Sequence, residues 1–235
     1  MMPFLVLYFG VPARIAVGTD LLFAAVTKAA GMSMHGLRGT IDWQVVRRLW
    51  FGSLPAAAVT GWFIYLFGRE SFNVDRFILD ALGIMLVLTA LCLLARGWLH
   101  GIGRRLRLGS AADFKRLQPA ATVLAGAVLG IVVTLTSVGA GALGAAALLY
   151  LYPLRLTPAK LVGTDLVHAI PLACVAGISY WLMGSVDWTL LGWMLLGSIP
   201  GVLLGAHWAT RSSPAVLRAI LAVLLVVSGV KILIA

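Results

Sequence analysis

Charged residues are scarce in this chain of 235 residues, where aspartate, glutamate, lysine and arginine together make up 11%. A soluble domain carries about 25% charged residues, and about 45–50% apolar residues even when glycine is counted among them. Here 61% of the residues are hydrophobic without glycine, and the mean hydropathy is +1.02. These values exclude a soluble globular enzyme, a disordered chain and a secreted disulfide scaffold. They indicate an integral membrane protein.

Cysteine is also rare, and both cysteines, Cys92 and Cys174, lie in apolar runs, where we interpret them as small core residues. The chain has four histidines, namely His35, His100, His168 and His207. They lack the spacing of metal ligands, so we expect no metal and no other cofactor. An enzyme would need a metal cluster or a nucleophile beside a base, and the sequence offers neither pattern. We therefore predict that the chain is not an enzyme.

Acidic residues number 8 against 18 lysines and arginines, which gives a net charge of +10. No basic run is interleaved with aromatic residues, so we expect no nucleic-acid partner. In a membrane protein, an excess of lysine and arginine marks the cytoplasmic loops. The segment 96–118 holds six basic residues and is therefore predicted to be cytoplasmic. Counting spans from it places 13 basic residues inside and 4 outside, with Lys28 alone within a span.

Six runs of about 20 apolar residues are long enough to cross a bilayer as helices. They cover residues 19–36, 43–66, 77–95, 163–183, 188–208 and 214–234. Residues 120–152 are less regular, because a stretch of small residues from Thr136 to Gly144 interrupts them. We expect this part to enter the membrane and return. The expected fold is an all-α, polytopic (multi-pass) membrane protein in contact with the lipid bilayer.

The chain contains an internal duplication with a constant offset of 145 residues. Three motifs recur: Val17–Asp20 as Val162–Asp165, Gly39–Trp43 as Gly184–Trp188, and Gly52–Pro55 as Gly197–Pro200. Between 17–55 and 162–200, 13 of 39 positions are identical without a gap. Each copy has three full spans, an odd number, so the second is predicted to insert with inverted topology. Inverted repeats are typical of secondary transporters.

The duplication also predicts the limits of the units. They are a first transmembrane repeat at 1–95, a basic cytoplasmic loop at 96–118 and a second transmembrane repeat at 119–235. Met1 aligns with Ala146, so residues 120–145 have no counterpart and the first repeat is expected to lack its opening helix. Either the start codon is assigned too late or the chain is a shortened variant, and we favour the first explanation.

The small-residue stretch around Gly139 and Gly141 has two interpretations. Small residues allow close helix packing in membranes. Alternatively, the stretch is a glycine-rich break between helices, whose N-terminal amides line a polar cavity and hold an anion. The hydroxyls of Thr136 and Ser137 would add polar groups there. We favour substrate binding at this break.

The Val-Gly-Thr-Asp motif, which we expect to open a helix in each repeat, is a second candidate. A threonine or aspartate at a helix start can simply cap it. If the motif lines the cavity instead, Thr19 and Thr164 contact the substrate. Asp165 and His168 are three residues apart on one helix face, and together with Asp20 they are candidates for proton coupling.

Lys28 lies about eight residues into a span, roughly 12 Å from its start. Charged residues within spans usually face a cavity or a partner, although a lysine can also snorkel to the interface. We include Lys28 among the candidate substrate-binding residues. Asp42 and Asp187 are expected to cap the helices that follow them, with Trp43 and Trp188 at the membrane interface.

These motifs resemble the sulfite exporter TauE/SafE family of bacterial membrane proteins. The helix openings, the Gly-x-[Ile/Val]-Asp-Trp loops, the Gly-Ser-x-Pro turns and the glycine-rich break before Pro153 follow that family's order over nearly the whole chain. The resemblance implies two inverted helical repeats and transport of a small anion, typically sulfite or an organosulfonate, across the bacterial cytoplasmic (inner) membrane. The family's glycine-rich hairpin matches Ser137–Gly144, although Ala140 and Ala142 stand where glycines are common.

We therefore predict a secondary transporter that exports a small anion by alternating access. Proton coupling and uniport driven by the membrane potential are both open. A homo-oligomer and a monomer are also both open. The alternative function is a non-transporting membrane assembly or sensor subunit.

Overall fold

The computed structural model of the chain describes residues 1–34, 40–67, 74–109, 111–139, 141–209 and 214–234. Within them the secondary structure consists of nine α-helices, without strands. The helices are α1 (Met2–Phe9), α2 (Ala13–Met34), α3 (Trp43–Phe67), α4 (Val74–Gly109), α5 (Ala111–Thr136), α6 (Ala142–Leu151), α7 (Pro158–Leu182), α8 (Trp188–Ala209) and α9 (Pro214–Ile234). The predicted all-α class is confirmed.

Among the residues that the structure describes, four helical segments are long and apolar enough to cross a membrane. They are Trp43–Leu66, Val74–Ala95, Arg116–Thr136 and Ala159–Leu182. Three of them match predicted runs. The fourth, Arg116–Thr136 of α5, is a regular helix where the sequence predicted a less regular part. The other three predicted runs fall on α2, α8 and α9, where Ile220–Leu233 is a shorter apolar helix. Together these helices establish a multi-pass membrane protein.

α5 and α6 form a hairpin with unequal arms. Tyr152, just after α6, shares a hydrogen bond of 2.8 Å with Thr122 of α5, and its hydroxyl accepts one of 3.1 Å from Arg48 of α3. Gln118 donates a further bond to the carbonyl of Leu151. These bonds fix the end of α6 beside the start of α3 and the first half of α5. With 10 residues, α6 is about 15 Å long, half of a hydrocarbon core of about 30 Å, so it is too short to cross the membrane alone.

α2 and α7 pack against each other in antiparallel directions, and the same hydrogen bond is made at both ends with the copies exchanged. Thr19 of α2 accepts a bond of 3.0 Å from the backbone N–H of Asp187. Thr164 of α7 accepts a bond of 3.1 Å from the backbone N–H of Asp42. Thr164 follows Thr19, and Asp187 follows Asp42, by the same 145 residues. Each copy is therefore tied to the loop of the other.

The glycines beside these threonines show the same exchange. A Cβ on Gly18 would overlap the carbonyl oxygen of Ser185, and one on Gly163 would lie 2.5 Å from the carbonyl oxygen of Thr40. Only glycine permits such approaches of helix to loop. Contacts in which each partner meets the counterpart of the other are the pattern that a two-fold axis produces.

Candidate functional site

The predicted break between helices is present between α5 and α6. Ser137 has φ +54°, uncommon for a residue with a side chain, and Gly139 has φ +105°. The chain reverses over these residues, and α6 begins after Gly141. The Ser137 hydroxyl is buried and has no hydrogen-bond partner in the part of the chain that the structure describes.

Most other polar groups at the break are engaged by the backbone. The Thr136 hydroxyl donates to the carbonyl of Val132 at 2.7 Å and accepts from the N–H of Val138 at 3.2 Å. The amides of Leu143 and Gly144 both donate to the carbonyl of Gly139, at 2.9 and 3.3 Å. Thr136 therefore stabilises the end of α5, and Ser137 has the more available hydroxyl.

The start of α6 faces the carboxylate of Asp165. A Cβ on Gly144 would lie 2.7 Å from Asp165 Oδ1, and one on Gly141 would lie 3.9 Å from Oδ2. Asp20 has the corresponding place in the first copy, where its Oδ2 accepts a bond of 3.1 Å from the N–H of Met2 at the start of α1. Negative charge is favourable at a helix N-terminus. Each aspartate thus stabilises the short helix of its own copy.

The position of this motif corrects one expectation. Val-Gly-Thr-Asp does not open its helices, because α2 begins at Ala13 and α7 begins at Pro158. The N-cap of α7 is Thr157, which accepts a bond of 3.3 Å from the N–H of Lys160. The Asp42 and Asp187 caps are present, as expected. Asp42 Oδ1 accepts a bond of 3.3 Å from the N–H of Val45, and Asp187 Oδ1 accepts one of 2.9 Å from the N–H of Leu190.

Lys28 of α2 is within electrostatic reach of both motif aspartates. Its ammonium group is attracted electrostatically by Asp165 and, less strongly, by Asp20. The same positive charge acts on His168. We call Asp20, Lys28, Asp165 and His168 the polar cluster. It brings the predicted lysine and the predicted proton-coupling residues together.

His168 is fully buried between α7 and α3. Its Nε2 lies 3.0 Å from Ser53 Oγ, and its carbonyl accepts a bond of 3.3 Å from the indole N–H of Trp50. Its Nδ1 is buried and has no hydrogen-bond partner among the described residues. The sequence analysis missed Ser53 as a partner, although the recurring Gly-Ser-x-Pro motif contains it.

Thr19 and Thr164 lie at opposite ends of the antiparallel pair α2 and α7. Both are fully buried, and both hydroxyls bind the loop amides described above. The structure thus gives them a tie between copies rather than a place in the polar cluster. A further tie was not foreseen: Arg155 binds Asp42 through two hydrogen bonds of 2.5 and 2.8 Å.

Comparison with known proteins agrees with the motifs. Residues 1–232 match the family model described as "Sulfite exporter TauE/SafE". The chain is 38% identical over 234 residues to "Probable membrane transporter protein YjnA" of Bacillus subtilis (strain 168), covering 97% of this chain and 89% of that protein. It is 26% identical over 231 residues to "Probable membrane transporter protein YdhB" of the same organism, covering 97% and 88%. No solved structure matches. The chain is a membrane transporter and belongs to the sulfite exporter TauE/SafE family.

Proposed function

We propose that this transporter exports a small anion, such as sulfite or an organosulfonate, from the cytoplasm by alternating access. The family's description supports sulfite as the substrate class. The observation that carries the proposal is the half-buried Lys28 of α2, whose ammonium group is attracted by the carboxylate that faces the start of α6. Charges placed in this way inside a membrane protein mark substrate pathways.

The groups around the polar cluster suit an oxyanion. Sulfite and sulfonates present oxygen acceptors, and Lys28 supplies a charged donor. The Ser137 hydroxyl supplies a neutral donor. His168 supplies another when its hydrogen is on Nδ1, because Nε2 then accepts from Ser53. Gly141 brings the backbone of the break close to Asp165, and Gly139 lies two residues before it. Asp165 balances the lysine charge before an anion arrives.

The cross-ties between copies suit alternating access. Thr19 and Thr164 join each copy to the other at opposite ends of the α2–α7 pair. Rocking one copy against the other would open one end while the tie at the far end stays closed. A cell interior at negative potential favours export, by about 2.3 kcal/mol per charge at 100 mV. A role for Asp165, His168 and Asp20 in proton coupling is compatible with this drive but not required by it.

The test is flux from proteoliposomes that contain the purified chain and are loaded with sulfite. We expect saturable efflux that an added sulfonate inhibits and that an inside-negative potential accelerates. Dimethyl sulfone is the matched control solute, because it has sulfur–oxygen acceptors but no charge, and it should neither inhibit nor be carried. Absence of saturable efflux from correctly inserted protein would contradict the proposal. Equal inhibition by the neutral sulfone would contradict the anion site.

A further inference from the structure

Arg48 of α3 is a half-buried arginine without a carboxylate partner in the described part of the chain. Three other arginines there form ion pairs: Arg14 with Asp75, Arg76 with Asp80, and Arg155 with Asp42. Arg48 instead donates a hydrogen bond of 3.1 Å from Nη1 to the hydroxyl of Tyr152, a neutral group. A guanidinium has several N–H donors, so most of them remain available to a ligand.

Tyr152 holds this guanidinium in place. The Thr122 hydroxyl donates to the carbonyl of Gln118 at 2.6 Å, so it accepts in its bond of 2.8 Å with Tyr152. The hydrogen of the tyrosine hydroxyl is thus directed to Thr122, and its oxygen accepts from Arg48. Tyr152 and Thr122 are both fully buried. Arg48 is therefore oriented before any ligand arrives, and Tyr152 is its positioning residue.

A second guanidinium lies against the same tyrosine. The Cζ atom of Arg155 is 5.9 Å from the centre of the Tyr152 ring. Arg155 is balanced by its two hydrogen bonds to Asp42. Two positive charges thus meet at Tyr152, and only Arg155 has a carboxylate partner among the described residues. This surplus of positive charge is complementary to an anion.

This arrangement occurs in one copy of the duplicated sequence only. The offset of 145 relates Arg48 to Trp193, Tyr152 to Leu7, and Arg155 to Gly10. None of these counterparts is charged. The positive charge therefore lies at one end of the α2–α7 pair, the end with Asp42. Its basic residues predict that this end is cytoplasmic, which is the side from which an exported anion enters.

Arg48 also lies close to the polar cluster along α3. Ser53, which is hydrogen-bonded to His168 of the cluster, follows Arg48 by five residues, a rise of about 7.5 Å. Arg48 is nearer than Ser53 to the start of α3 at the Asp42 end. An anion bound to Arg48 would therefore lie nearer to that end than the contact between Ser53 and His168.

We propose that Arg48, positioned by Tyr152, is an entry site at which an anion binds before it reaches the polar cluster. The ligand is a small oxyanion such as sulfite or a sulfonate, since a planar guanidinium donates to two oxygens of one anion. The identity of the anion rests on the proposed function. The phosphate of a lipid headgroup presents similar oxygens, and the experiment distinguishes the two sources.

The first experiment measures the melting temperature of the purified chain in detergent as methanesulfonate is added, with equal concentrations of chloride as the reference. The chain carries Lys28→Ala, which removes the ammonium group of the polar cluster. We expect methanesulfonate to raise the melting temperature in a saturable manner, because a ligand that binds the folded state stabilises it. Adding Arg48→Gln should abolish this rise.

Arg47→Gln is the matched control, because it removes the same charge from the neighbouring, exposed arginine. It should leave the rise unchanged. Equal loss in the Arg47 and Arg48 variants would overturn the proposal, as would the absence of any rise before Arg48 is changed. A rise with phosphatidylglycerol but none with methanesulfonate would assign Arg48 to a lipid headgroup and would also overturn it.

Sulfite flux connects the site to transport. Arg48→Gln in the otherwise unaltered chain should lower kcat/KM roughly tenfold, because the lost hydrogen bonds join charged groups. An unchanged kcat/KM would overturn the entry site and leave the proposed function intact. A rise in melting temperature that depends on Arg48, without any sulfite flux, would support the anion site and contradict sulfite export.

Two milder variants cover the case in which Arg48→Gln fails to fold. Arg48→Lys keeps the charge but has no planar fork of donors. Tyr152→Phe removes the oxygen that positions the guanidinium and changes no charge. Each should weaken methanesulfonate binding by roughly fivefold, as expected for the loss of one hydrogen bond. Full binding by both variants would overturn the proposal.

Discussion

The two copies of the duplicated segment, 17–55 and 162–200, agree in what ties the molecule together and differ in what is charged or polar inside it. Thr19 and Thr164 make the same bond to the opposite loop. Asp42 and Asp187 cap the next helix in the same way. Features present in both copies therefore build the architecture.

Features present in one copy only are the candidates for function. Lys28 has Ala173 as its counterpart, and His168 has Phe23. Both single-copy residues lie in the polar cluster. A half-buried charge and a fully buried imidazole are costly in a membrane unless they are used or paired. The asymmetry therefore indicates one polar site within a pseudo-symmetric frame.

The largest expected effect comes from breaking a shared feature. Gly18→Val and Gly163→Val should each destabilise the fold by about 3 kcal/mol or more, since the new side chain meets a backbone carbonyl that cannot move aside. Thermal melting in detergent measures this, with Gly192→Val as the control because its Cβ meets open space. If only one of the two substitutions destabilised the protein, the equivalence of the copies would be wrong.

Much of this frame could be predicted from the sequence, because hydropathy and the constant offset act on each helix by itself. The helical class, the Asp42 and Asp187 caps and the break at Ser137–Gly141 all follow from local residue types. The inverted insertion of the second copy stays a prediction. It rests on counting spans and basic residues.

The partners across the fold could not be predicted in the same way. Ser53 and His168 are 115 positions apart in the chain, and Arg155 and Asp42 are 113 apart. The residues around one member of a pair do not indicate its partner. The partners meet only because α3 packs against α7. The prediction that the Val-Gly-Thr-Asp motif opens its helix was wrong for the same reason. Its aspartate stabilises a different helix from the one that carries it.

The next largest effect should come from removing the single-copy charge. Lys28→Ala should raise the KM for sulfite about tenfold to a hundredfold, because a hydrogen bond to a charged group contributes about 1.5–3 kcal/mol. Membrane insertion should be unchanged. The exposed Lys160→Ala is the matched control in the same flux assay. An unchanged KM for Lys28→Ala would remove Lys28 from the substrate site.

A third change makes the second copy resemble the first. His168→Phe leaves the fully buried Ser53 hydroxyl without the imidazole, at a cost of about 1–3 kcal/mol. Adding Ser53→Ala should recover part of that loss, because the orphaned hydroxyl is removed with its partner. The four variants of this cycle, compared by melting, give the coupling energy of the pair. Strict additivity would show that the contact contributes nothing to stability.

The smallest effect should come from Arg155→Gly. This substitution introduces the residue type that the first repeat has at the corresponding position, Gly10. Arg155 is 43% exposed, so its bridge to Asp42 should contribute about 1 kcal/mol or less, and high salt should reduce the difference from the unaltered chain. Asp42→Ala is the informative comparison, since Asp42 also caps α3 and alanine removes the cap together with the bridge, so this variant should cost more. Chemical denaturation at low and high salt measures both variants.

Sulfite flux of Arg155→Gly separates a structural bridge from a gate. Asp42 and Asp187 lie at opposite ends of the α2–α7 pair. At the end with Asp187, Gly10 replaces the arginine, and the hydrogen bond to Thr19 joins the copies without an ion pair. If the Asp42 end must open during transport, losing the bridge should speed flux while slightly lowering stability. A fall in flux parallel to the fall in stability would show that Arg155 only holds the loops together. The two ends would then differ in strength but not in role.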